Sequence, residues 1–138
     1  MLTPEIIATR EKTLAAHLDG ETHKDIESVL ATFSGEPTYD LVTIGKVVSG
    51  TADVRRFLQT FFDCLGPNTH LAEGFFHAPE ATIVEVRTIF PDGFDGQQTG
   101  QSLEIRSVGV FLFDGDQMRV EKLYADVAVL LPFMPWLQ

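Results

Sequence analysis

The chain is expected to fold as a segregated α+β domain, with helices packed on one face of a curved, mostly antiparallel sheet. Three observations predict this. Up to Pro67 apolar residues recur at helical spacing in three stretches, whereas from His70 onward the period shifts towards two. Three of the later runs, Ala81–Phe90, Ser102–Phe113 and Met118–Val127, are long and separated by turn-forming or polar segments. Between the last two stands Asp114-Gly115-Asp116, a strong hairpin signal because glycine tolerates the positive φ such a turn needs. Helices first and a strand meander afterwards argue for α+β rather than an alternating α/β order.

The elements follow in order. Thr3-Pro4-Glu5 reads as an N-cap, a proline at the first helical position and an acid favoured by the helix dipole. The first helix is expected to reach about Leu18 and stop at Asp19-Gly20. Thr22 can cap a second helix, with Ile26, Val29, Leu30 and Phe33 on one stripe, ended by Ser34-Gly35-Glu36-Pro37. Thr38–Ile44 and Lys46–Val48 read as two short strands around Gly45. Thr51 caps a third helix carrying Val54, Phe57, Leu58, Phe61 and Leu65, and Gly66-Pro67 closes it. Four strands complete the chain: His70–His77 and the three long runs.

Composition bounds the function. With 138 residues and 44% apolar content, residues 1–138 form one domain that buries a core without staples. The single Cys64 excludes an internal disulfide framework and a cysteine-rich zinc site. No run of about 18 apolar residues is present to span a membrane. Arg10, Glu11 and Lys12 stand where a signal peptide would be apolar, so a cytoplasmic location is the expectation. The formal charge is −10 and the densest basic cluster is Arg55-Arg56, so a nucleic-acid partner is rejected. Among His17, His23, His70 and His77 no two have helical metal-ligand spacing with an acid, so neither a metal nor an organic cofactor is expected.

Several phrases carry a family resemblance. They are Val48-Ser49-Gly50-Thr51-Ala52-Asp53-Val54-Arg55-Arg56-Phe57, the loop Asp95–Gln101, the strand Leu103-Glu104-Ile105-Arg106, the turn Phe111–Met118, and Glu121 through Asp126 together with Leu130. Together they resemble the SnoaL-like polyketide cyclase group of the nuclear transport factor 2-like superfamily. The resemblance covers nearly the whole chain. It implies a cone-shaped fold with about three helices on a strongly curved sheet, enclosing a deep, mainly apolar pocket for a small hydrophobic molecule. It also implies a homodimer formed through the outer sheet surface.

Asp126 falls on the position that resembles the family's catalytic aspartate. A carboxylate among apolar residues has its charged form disfavoured, which suits it to acid/base work near neutrality; a helix cap is the plainer role. Tyr124 shares strand parity with Asp126 and could donate to a carbonyl oxygen or pack as core. Asp40 stands near the proton-shuttling aspartate of ketosteroid isomerases, one residue out of step. Since one residue of slip reverses the face of a strand, Tyr39 is an equal candidate for the pocket wall.

His17 on the first helix can reach the pocket mouth or sit on the surface. The cyclases of this group carry a histidine on the strand before the final aspartate, and Ser102–Val120 contains none. Arg87 is followed two residues later by Ile89, where related epoxide hydrolases have an aspartate, so it is left to meet Asp126 or to form a cross-strand ion pair. Phe57, Phe61, Phe111 and Phe113 are expected as core and pocket lining. The apolar tail Leu130–Leu137 should close over the pocket or bind a second subunit.

Two functions follow. One is a cofactor-independent isomerase, cyclase or lyase acting on a hydrophobic carbonyl compound. The other is a non-catalytic module of the same fold that binds a small ligand or dimerises.

Overall fold

The computed structural model describes residues 1–93, 100–125 and 136. Three helices, α1 (Pro4–Thr22), α2 (Ile26–Leu30) and α3 (Thr51–Cys64), precede or interrupt the strands. The strands are β1 (Thr38–Leu41), β2 (Lys46–Ser49), β3 (Thr69–Ala78), β4 (Ala81–Phe90), β5 (Leu103–Asp114) and β6 (Gln117–Tyr124). They form one open sheet in the order β2-β1-β6-β5-β4-β3. Neighbours are antiparallel except β1 and β6, which run parallel. The α+β class, the three helices and the hairpin at Gly115 (φ 62°) are as expected. No helix among the described residues is long and apolar enough to cross a membrane.

Several boundaries differ, each for a physical reason. The first helix does not stop at Asp19-Gly20 but runs on to Thr22. Gly20 serves contact rather than termination: a Cβ there would lie 2.9 Å from Val29 Cγ2, so its absence lets α1 and α2 approach. Asp25, not Thr22, caps α2 by accepting from Ser28 N, and the Thr22 hydroxyl accepts from His70 N at 3.0 Å instead. The strand from Thr38 ends at Leu41, where a single 3₁₀ turn over Val42–Ile44 leads into Gly45 at φ 64°.

The core gathers Leu14, Leu18, Val29, Val54, Phe57 and Leu58 from the helices against Tyr39, Val84, Val86, Phe90, Phe111 and Met118 from the sheet. Because all three helices contribute to one cluster, they lie on the same face of the sheet. Arg10 anchors α1 to that face. It is 1% exposed and donates to the carbonyls of Ala78, Pro79 and Gly115, spanning two hairpins at once, while its guanidinium lies 4.7 Å from the Phe113 ring centre.

One register slip decides what the sheet presents to the core. Leu112 faces Val120 but Phe113 faces Met118, so Arg119 is the extra residue of a bulge on β6. Beyond it the alternation is reversed, and Glu121, Leu123 and Ala125 point inward.

Candidate active site

A cavity opens between the helices and the inner face of the sheet. It encloses about 800 Å³ of space, its open mouth included. Its walls are mainly apolar: Leu18 of α1, Phe57, Leu58 and Phe61 of α3, Leu65, Val86 and Phe90 of β4, Ile105 of β5, and Leu123 and Ala125. Set into them are Glu21, Tyr39, His70, Thr88, Ser107 and Glu121. An apolar pocket with a few convergent polar groups is the form small-ligand sites take.

The polar groups converge on His17, which is fully buried. Its Nδ1 lies 2.8 Å from Thr32 Oγ1, and that hydroxyl donates in turn to the Val29 carbonyl at 2.6 Å. With its own proton committed, the threonine oxygen accepts, so Nδ1 carries a hydrogen. On the other side Nε2 lies 2.8 Å from Glu21 Oε1, 3.5 Å from Glu121 Oε2 and 3.3 Å from the Tyr39 hydroxyl. A bare lone pair facing two carboxylates would be repelled, so Nε2 is protonated as well and the ring is an imidazolium. Burial alone would push His17 down, but Glu121 and Glu21 together push it up to about 10.

The two acids diverge. Burial raises both, but His17 and then His70 bring Glu21 below its ordinary value. Glu121 ends above its ordinary value, raised by burial and by the Glu21 charge, with His17 and Tyr39 offsetting only part. Burial and the two carboxylates also hold the Tyr39 phenol well above its usual range, so it remains a donor. The cluster therefore contains a settled ion pair, His17 with Glu21, and a second carboxyl that holds a proton more readily. Environments that push two carboxyls apart are how acid and base roles are assigned in one site. Glu21 Oε1 and Glu121 Oε2 both lack an aligned hydrogen bond among the described residues.

His17, Glu21 and Glu121 also bring three potential metal-ligand atoms within 4.8 Å of one another. A cation there would have to displace the Nε2 proton that the two carboxylates favour, although the Nδ1–H on Thr32 leaves Nε2 as the ring's ligand atom.

The expected site residues separate into groups. Tyr39, His17, Phe57 and Phe61 belong to the pocket or to its polar floor. Phe111 and Phe113 do not line it. Gly109 leaves room for the Phe111 ring to fold back, so Phe111 supports His17 edge-on at 5.5 Å, and Phe113 lies under Arg10. Tyr124, 41% exposed, stands on the outer face, because the β6 bulge turns Leu123 and Ala125 inward in its place. Asp40 likewise alternates away from Tyr39 and pairs in register with Lys122. Arg87 stands outside too, near Glu73 and Glu104 at 3.8 and 3.7 Å, in an ion network on the sheet surface. Asp126 lies outside the described residues, as does the apolar tail apart from Trp136, which packs on the core beneath Arg56. Glu21, Glu121 and His70 had not been singled out.

This architecture has known counterparts. A hypothetical protein from Catenulispora acidiphila, with a ketosteroid isomerase-like fold and in complex with trimethylamine, superposes with TM-score 0.70. It covers 95% of this chain and 92% of its own at 14% identity. The chain has the ketosteroid isomerase-like fold. TerC co-crystallised with polyporic acid shares this fold (TM-score 0.71, 14% identity, 92% and 98% covered). So does SalBIII, an epoxide hydrolase/cyclase-like enzyme of pyran ring formation in the polyether salinomycin (0.68, 13%, 86% and 92%). No protein-family model and no curated protein matches the sequence. At these identities the likeness establishes the ketosteroid isomerase-like fold and leaves function to the site.

Proposed function

We propose that the pocket binds a small hydrophobic carbonyl compound and moves a proton at the carbon beside the carbonyl, as an isomerase, cyclase or lyase of the SnoaL-like kind does. One observation carries this: Glu121, a buried carboxyl raised above its ordinary value, sits in an apolar pocket beside an imidazolium and a phenol. In its ionised form Glu121 takes the α-proton. The C–H electrons pass into the enolate, and the developing oxyanion is met by the Tyr39 hydroxyl and the His17 charge. The proton returns from Glu121 at the same or a conjugated carbon, so the step balances without metal or organic cofactor. Bound small molecules in two proteins of this fold support a ligand in this cavity.

The test is deuterium incorporation from D₂O into β-tetralone, followed by NMR. Exchange well above buffer is expected, and Asp126→Asn is expected to retain it. Exchange lost in Asp126→Asn alone would return the base to that residue. Binding without exchange would leave the second reading, a non-catalytic ligand module. That reading is favoured by the near-complete burial of Glu21 and Glu121 around His17, as in a structural ion cluster.

The outer sheet face supports a homodimer. Leu71, Ile83, Tyr124 and Phe76, the last 55% exposed, stand there beside the Glu73–Arg87–Glu104 ion network. Light scattering should give a dimer for the wild type and a monomer for Phe76→Glu; a monomeric wild type would refute the arrangement.

A further inference from the structure

His70, the second residue of β3, stands on the pocket wall with its side chain only 9% exposed. Its backbone N–H is tied to Thr22 Oγ1, and its ring Nε2 lies 3.4 Å from Glu21 Oε2. Glu21 thus reaches both histidines, His17 through Oε1 and His70 through Oε2. A nitrogen facing a carboxylate holds its hydrogen there, so the tautomer with one ring hydrogen carries it on Nε2 and leaves Nδ1 bare. Among the described residues that Nδ1 is buried without a hydrogen-bond partner. A buried acceptor left without a donor is costly to fold around, and such groups point to something that satisfies them.

Of the other polar groups set into the pocket, Thr88 and Ser107 make no hydrogen bond to that Nδ1, and Tyr39 and Glu121 stand around His17 instead. We infer that His70 Nδ1 accepts a hydrogen bond from the ligand, so the pocket selects carbonyl compounds that also carry a hydroxyl or N–H donor. Tyr39 and the His17 charge meet the carbonyl end; His70 meets the donor. Resting on the assignment of the cavity as a carbonyl-ligand site, this deepens it by naming a hydroxylated carbonyl compound. It does not require that catalysis occur there. Glu21 is then a positioning residue, acting through both rings.

A site that accepts a donor rejects the analogue lacking it, because its own polar group is left unpaired. The probes are β-tetralone and its ring-hydroxylated isomers, with affinities measured by calorimetry on the full chain. In the wild type at least one hydroxylated isomer is expected to bind roughly tenfold tighter than the parent ketone. In His70→Phe that preference should fall below about twofold, since the aromatic volume is kept and the acceptor removed. No preferred isomer, a preference undiminished in His70→Phe, or no binding of any of these ketones would overturn the inference. ¹⁵N NMR of the wild type gives a second measure that needs no variant. The His70 Nδ1 resonance should be that of an unprotonated ring nitrogen, and it should move with the hydroxylated ligand only. A protonated Nδ1 in the free protein would also overturn it. Selective binding without deuterium exchange would instead sink the catalytic proposal and leave this one standing.

Discussion

Glu121→Gln should lower deuterium exchange into β-tetralone by at least about 100-fold, within the range general acid–base catalysis supplies. The amide keeps the shape of the side chain and its place beside Tyr39 and His17, but it cannot take a proton. The same change removes one of two carboxylates crowded around a single imidazolium. Since Glu121 is raised by burial and by the Glu21 charge, its ionised form is disfavoured in the fold at neutral pH. The variant is therefore expected to be at least as stable as the wild type by urea denaturation. Activity lost while stability holds or rises is the pattern of a group retained for function rather than for folding. Exchange within about threefold of wild type would remove Glu121 from the mechanism.

The fold was legible because its signals are redundant. Thr3-Pro4, the apolar stripe of α3 and the Asp114–Asp116 turn each point to one local structure, and all agree with one global arrangement. The site was less legible, for two reasons that particular residues show. On α1 the buried residues are Arg10, Leu14, His17, Leu18, Gly20 and Glu21, which follow helical spacing but are titratable at three of six positions. A hydropathy pattern cannot see a face whose charges satisfy one another, although the His17–Glu21 spacing of four residues was there to be read. On β6 strict alternation counted from Met118 turns Val120, Lys122 and Tyr124 inward and Glu121 outward. The bulge at Arg119 reverses that order, and no residue type announces it. Tyr39 and Asp40 show the same sensitivity: the choice between neighbours on one strand decided which side chain meets the pocket.

The second large effect is on stability, and it depends on pH. His17 is raised from its ordinary value to about 10, so folding holds a proton that the unfolded chain releases near 6.5. A group raised in the folded state contributes stability that is fully present below its unfolded value and is lost as pH climbs through the folded one. The window is therefore about 6.5 to about 10, with at most ~1.4 kcal/mol lost per pH unit. Glu21 has the opposite sign: lowered in the fold, it contributes above its ordinary value and loses that contribution as pH falls. Below the window the pair is thus limited from the acid side, and within it from the alkaline side. His17→Gln removes the cation while keeping a group able to reach Thr32 and the carboxylates. Near pH 7 it should cost about 3–5 kcal/mol, because buried Glu21 is left with only the more distant His70. As pH approaches about 10, the wild type loses its own cation and the two proteins should converge in urea denaturation. Taking the difference between them cancels every other group that titrates in the same range. A gap that stays constant across the window would mean that His17 is neutral in the fold, its Nδ1–H still on Thr32 and its Nε2 accepting from the Tyr39 hydroxyl 3.3 Å away.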